Sequence, residues 1–230
     1  MLFCVFAGLL SSASGGAPDP RFTVIRVDTR HDRLQIFLRD DDGRPYGSFR
    51  RLEAALEKQH RRLRFAMNAG MYHADFSPVG LLVQDGHRIS PLNTDDGAGN
   101  FFLKPNGVFF IGRSGPHIVE TSAYPAAAQD VVLATQSGPL LLLDGRIHPV
   151  FDPESKSRLI RNGVGICGTE TIFAISEKPV NFHEFASFFR DGLGCSDALY
   201  LDGTISSLYS SELRRNDARA KLGPIIAIVD

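Results

Sequence analysis

Gly194-Cys-Ser-Asp-Ala-Leu-Tyr-Leu-Asp-Gly-Thr-Ile-Ser-Ser207 is the stretch around which the chain reads. Ala198 to Leu201 is a short apolar run, the pattern of a buried strand. It ends on a carboxylate, Asp202, followed by Gly203, Thr204, Ile205, Ser206 and Ser207. A strand fixes a carboxylate while the loop after it keeps it reachable, so catalytic groups gather at such junctions. The same residues also fit an aspartate that caps its own turn, with hydroxyls solvating it. The local pattern leaves both readings open.

Upstream, Asn181-Phe-His-Glu184 reads as a capping box that opens a helix. Phe182, Phe185, Phe188 and Phe189 give that helix an apolar face, and Gly192 and Gly194 stop it. The helix delivers the chain into the Asp202 strand. Before it, Gly163–Cys167 and Glu170–Ser176 read as paired strands, preceded by a polar, basic segment from Ser155 to Asn162. Ile225–Val229 is the last strand.

Toward the N-terminus, Phe22–Asp28 alternates cleanly, and Leu34–Leu38 follows as a second strand. Asp40-Asp-Asp-Gly43 reads as a solvated turn, since it lacks the spacing and terminal Glu of a calcium loop. Ser48 starts a helix with Leu52, Ala55, Leu56 and Leu63 on one face and mostly charged residues on the other. Arg64–Met67 is a strand ending at Asn68-Ala-Gly-Met-Tyr72, a second junction with a polar tip. Gly107–Gly112 and Val131–Thr135 are further strands. Two segments, Gly80–Pro91 and Pro139–Pro149, each read as a hairpin around Asp-Gly, and their likeness suggests a pseudo-repeated sheet. The class is α+β: a mixed, largely antiparallel sheet core with hairpins, a few flanking helices and a cleft at strand ends.

The 230 residues with 43% hydrophobic content suit one domain with a sizeable core, or two small lobes. A formal charge of −1 argues against nucleic acid as a partner. Met1–Leu10 is apolar apart from Gly8, small residues follow, and Pro18-Asp-Pro20 breaks the chain. Residues 1–20 therefore read as a secretory leader or a disordered N-terminus, too short for a stable membrane span, with the domain over 21–230. Export leaves Cys167 and Cys195, which form either one bridge or two buried thiols.

No zinc spacing, Walker loop, dinucleotide fingerprint or Gly-x-Ser-x-Gly elbow is present, so no metal or cofactor is expected. What remains is polar groups at junctions: Asn68, Ser137, Arg161, Asp202 and Thr204. Arg161 offers a fork suited to a phosphate or carboxylate, or is a surface residue beside Arg158. Asp202 offers proton transfer to or from an oxygen.

The ordered set Asn68-Ala-Gly-Met-Tyr72, Ser137-Gly-Pro-x-Leu141, Arg161-Asn-Gly-Val-Gly165, the Phe-rich helix, Gly194-Cys195 and Leu201-Asp-Gly-Thr-Ile-Ser-Ser207 resembles the phosphodiester glycosidase family. The resemblance runs from about residue 22 to 230. Ala69, Met71 and Tyr72 depart from the family's Asn-Gly-Gly-Phe-Phe, and Thr204-Ile205 replace two glycines, which implies a stiffer loop. The variant looks like a subgroup of exported bacterial proteins.

The resemblance implies hydrolysis of a sugar-1-phosphodiester at its glycosidic C–O bond, in the bacterial envelope or outside the cell. Asp202 would act as acid/base or electrostatic residue, Arg161 would hold the phosphodiester anion, and Asn68 and Ser137 would position sugar or phosphate oxygens. Thr204, Gly70, Gly203 and Ser206 complete the expected site. All are expected to converge in one pocket. The rival reading is a non-catalytic envelope protein that binds a phosphorylated glycan through the same pocket. A third makes Ser137 a nucleophile and needs a histidine beside it; His148 is the nearest in sequence.

Overall fold

The computed structural model describes residues 19–230. Residues 1–18 of the expected leader, Cys4 included, lie outside them. Three antiparallel sheets make up the fold. The first runs, in spatial order, Phe22–Val27, Glu170–Ser176, Asn162–Cys167, Asp197–Asp202, Leu140–Leu143 and Arg146–Ile147. The second runs Arg215–Asn216, Leu208–Ser210, Leu63–Asn68, Ile225–Val229 and Leu34–Phe37. The third runs His87–Ser90, Leu82–Gln84, Leu133–Ser137, Gly107–Gly112 and Gly115–Glu120. This is the expected α+β class, and every strand pairing among the described residues is antiparallel.

The inner faces of all three sheets meet in one core, where Ile36, Phe65, Met67, Phe109, Val164, Phe173, Leu199, Leu201 and Ile226 are buried together. Each sheet also has a covered outer face. The helix Phe182–Ser187, continued by a wider turn through Gly192, packs Phe185 and Phe189 on the first sheet against Ala198 and Tyr200. The helix Phe49–Glu57 packs Phe49, Leu52 and Leu56 on the second. Tyr124 and its neighbours cover the third. Each such aromatic or leucine contributes about 1.5–3 kcal/mol of hydrophobic stabilisation.

Local chemistry explains the element ends. Asn181 accepts the Glu184 N–H at 2.8 Å while the Glu184 carboxylate accepts the Asn181 N–H at 3.0 Å, a complete capping box. Ser48 caps the other helix by accepting the Arg51 N–H at 3.2 Å. Leu63 is not on that helix: the helix ends at Glu57, His60 adopts φ +57°, and Leu63 begins the next strand. Both hairpins turn on Asp-Gly with positive φ at both residues, 49° and 78° at Asp85-Gly86 and 50° and 73° at Asp144-Gly145. That is the backbone whose twist matches the flanking strands. The two hairpins lie in different sheets, so their likeness is one of turn chemistry and not of a repeated sheet.

Gly163 and Gly165 let the Phe-rich helix approach the first sheet. A Cβ at Gly163 would stand 3.3 Å from the Phe185 ring, and one at Gly165 would stand 2.7 Å from the Phe189 ring. Cys167 and Cys195 are joined in a disulfide that ties the start of the Asp202 strand to its neighbour. No helix among the described residues is long and apolar enough to cross a membrane.

Candidate active site

The three sheets are stitched to one another by polar bonds at the end where the Asp202 strand finishes. Asn68, the last residue of its strand in the second sheet, faces Asn162, the first residue of its strand in the first. The Asn162 amide donates to the Asn68 carbonyl at 3.0 Å and to Asn68 Oδ1 at 3.1 Å. Asn68 Oδ1 also accepts the Ser207 N–H at 2.9 Å, and Ser206 Oγ donates to Asn162 Oδ1 at 3.1 Å. Ser137, ending its strand in the third sheet, donates its hydroxyl to the Leu201 carbonyl at 3.0 Å. Gly70 N–H donates to Thr135 Oγ1 at 3.0 Å, joining the loop after the second sheet to the third. Asn68, Ser137, Asn162, Ser206 and Ser207 are all buried. Polar atoms at such depth need partners, and here they supply one another.

Above this floor the strand carrying Asp202 is bulged. Gly163 pairs with Tyr200, but Asn162 pairs with Asp202, so Leu201 is an extra residue on its strand. Strict alternation would put Asp202 on the face of Tyr200. The bulge sets it opposite Asn162 instead, which is how bulges re-aim side chains. Asp202 Oδ1 then accepts three backbone N–H groups of its own turn, from Gly203 at 2.6 Å, Thr204 at 2.7 Å and Ile205 at 3.2 Å. Its second oxygen is left over. Burial raises the Asp202 pKa, and the three N–H donors offset that only in part. The two readings of Asp202 are therefore compatible: one oxygen caps the turn and the other is free for chemistry.

Asp202 and Ile205 form one side of a cleft of about 300 Å³, and Met71, Tyr72, His73 and Ala74 form the other. The latter loop is held in shape at several points. His73 N–H donates to the Ser77 carbonyl at 2.8 Å, and Phe76 N–H to the His73 carbonyl at 2.8 Å. Phe76 takes φ +68°, which stacks its ring on Tyr72 at 5.6 Å. The Tyr72 hydroxyl donates to the Lys221 carbonyl at 2.6 Å, and Asp75 accepts both the N–H and hydroxyl of Ser77.

The expected residues separate into groups. Asp202 lines the cleft, with exposed Thr204 in its turn. Asn68, Ser137 and Ser206 lie beneath as its foundation. Gly70 and Gly203 are needed for room: a Cβ would stand 2.4 Å from the Gln136 carbonyl at the first and 2.1 Å from the Tyr200 hydroxyl at the second. Gly203 does not take positive φ, so clearance and not a left-handed turn requires glycine there.

Arg161 is not brought to the cleft. It lies on the Tyr200 face of its strand and is 1% exposed. Its guanidinium sits 3.7 Å over the Phe182 ring and donates to the Val180 carbonyl at 2.9 Å, Tyr200 Oη at 3.3 Å and the Ser157 carbonyl at 3.1 Å. Desolvation by burial lowers its pKa. Ser137 has no histidine beside it either. His148 accepts the Val150 N–H at 3.3 Å and stacks on Phe151 at 4.7 Å, so the serine-nucleophile reading has no dyad. Sequence reading passed over Asn162, though alternation from buried Val164 places it on the core face. It also passed over His73, which no local pattern marks.

The model of the phosphodiester glycosidase family matches residues 61–228. The uncharacterized protein YigE of Escherichia coli (strain K12) is 35% identical over 194 residues, spanning 83% of this chain and 76% of that protein. Among solved structures, the zebrafish N-acetylglucosamine-1-phosphodiester alpha-N-acetylglucosaminidase catalytic domain, auto-inhibited by its pro-peptide, superposes with a TM-score of 0.59 at 14% identity. The match covers 94% of this chain and 86% of that one. A hypothetical protein from Synechocystis matches with a TM-score of 0.54 at 15% identity, over 90% of this chain and 59% of the other.

Proposed function

The chain belongs to the phosphodiester glycosidase family, and from that premise we propose that it hydrolyses a sugar-1-phosphodiester at the glycosidic C–O bond. The observation that carries this reading is Asp202. One of its oxygens is held by three backbone N–H groups, the other is left for the cleft, and burial keeps its proton affinity above that of an ordinary carboxyl. A carboxylate of that kind is a good base for water. A phosphate monoester departs readily once its charge is met, so no second carboxyl is needed to protonate it.

The Cys167–Cys195 disulfide supports a site of action in the bacterial envelope or outside the cell, where such bonds persist. The deciding experiment is a panel of sugar-1-phosphodiesters, read by release of free sugar and of phosphomonoester. Turnover of at least one member, reduced by Asp202→Asn, is expected. Binding of phosphorylated glycans with no turnover of any member would replace the reading with that of a glycan-binding protein.

A further inference from the structure

We propose that His73 is the cation that receives the departing phosphate, in the place where Arg161 was expected to act; this rests on the glycosidase reading above. Hydrolysis of a phosphodiester changes the charge that the cleft must hold. When water's oxygen bonds to the sugar C1, the C1–O electron pair leaves with the phosphate and a water proton passes to Asp202. The products are a free sugar and a phosphomonoester that carries one more negative charge than the diester did. A positive group aimed at that oxygen acts most strongly where the charge develops.

Six residues line the cleft: Met71, Tyr72, His73, Ala74, Asp202 and Ile205. Only His73 among them can become a cation. Arg161 is closed off beneath Phe182, with each of its three nitrogens already donating within the protein. The His73 ring is exposed, and the loop's side-chain bonds are made by Tyr72, Asp75 and Ser77. Its main chain is fixed on both sides by the Ser77 carbonyl and the Phe76 N–H. A mobile lysine would spend entropy to take up this position, whereas a two-torsion imidazole on a locked loop spends little. His73 for the phosphate end and Asp202 for the water thus come from opposite walls of the cleft.

The test uses glycerol 3-phosphate as a phosphomonoester probe and glycerol as its uncharged counterpart, with binding followed by calorimetry and by the His73 ring resonances in NMR. The folded wild-type protein should bind the probe with displacement of those resonances and ignore glycerol. His73→Gln should weaken binding about 10- to 100-fold, the weight of one charge-assisted hydrogen bond, and His73→Arg should retain it. Unmoved His73 resonances at millimolar probe, or equal affinity in His73→Gln, would overturn the assignment. On any substrate found in the panel, His73→Gln should lower kcat and kcat/KM together. Full turnover by that variant refutes the role of His73 and leaves hydrolysis standing. Probe binding through His73 with no turnover of any diester does the reverse.

Discussion

Asp202 shows how one side chain serves a turn and a reaction at once. Its Oδ1 satisfies three N–H groups that a loop would otherwise leave to water, and this fixes the direction of the second oxygen. Burial raises its pKa above the ordinary 3.8. A carboxyl whose folded pKa is raised holds its proton more tightly folded than unfolded. Its favourable contribution is complete below 3.8 and is lost as pH rises through the folded value. At neutral pH the ionised group weighs against folding. Asp202→Asn keeps the acceptor for the turn and removes that charge. Thermal melts should show a Tm at pH 7 equal to or above wild type, with the difference vanishing below about pH 4. Activity on a verified diester should fall about 10²–10⁴-fold. The acid limb of the wild-type kcat/KM profile should lie above 3.8. A variant with full turnover would show that Asp202 is a cap alone.

At the scale of elements, the neighbouring strands Asn162–Cys167 and Asp197–Asp202 decide what reaches the cleft. Alternation sends Asn162 inward and Arg161 outward, while the bulge at Leu201 moves Asp202 across to the Asn162 side. Arg161 then acts as an anchor that joins the Ser157 and Val180 backbones to Tyr200 and Phe182. Arg161→Lys keeps the charge but loses the fork and most of these bonds, at a cost of at least about 2 kcal/mol. The expected result is a Tm lower by about 5 °C or more, with KM for a verified substrate little changed. A large KM effect at unchanged Tm would return Arg161 to the binding site.

The capping box, the Asp-Gly hairpins and the Phe-rich helix were legible in the sequence because each is settled by residues a few positions apart. The bulge was not, because it exists only against the partner strand. The apolar run Ala198 to Leu201 therefore located Asp202 at a strand end but left its face undetermined. His73 escaped for a related reason. It shares a cleft with Asp202 only because two loops from different sheets converge there, and nothing within either loop records that convergence.

The molecule as a whole is three sheets closed over one core, fastened at the cleft end by polar side chains and, within the first sheet, by the Cys167–Cys195 bridge. The bridge closes a loop with a sequence separation of 28 that includes the Phe-rich helix. A Cys167→Ser/Cys195→Ser double variant should lose about 3 kcal/mol in urea unfolding at neutral pH. An unchanged midpoint would mean that the helix holds the two strands together without help.

The stitched floor has a consequence for the rhythm of local opening. Loop amides ordinarily exchange with deuterium in brief local fluctuations, while strand amides wait for larger ones. The amides of Ser207 and Gly70 lie in loops, yet their acceptors are the buried side chains of Asn68 and Thr135. Releasing the Gly70 amide means parting the second sheet from the third, and releasing the Ser207 amide means opening the buried end of the second sheet beside Asn162, so both should be protected almost to the level of the core, while the exposed Thr204 amide trades its proton quickly. Slow amides under a fast rim would describe a cleft whose floor stays put while its edge adapts to what enters.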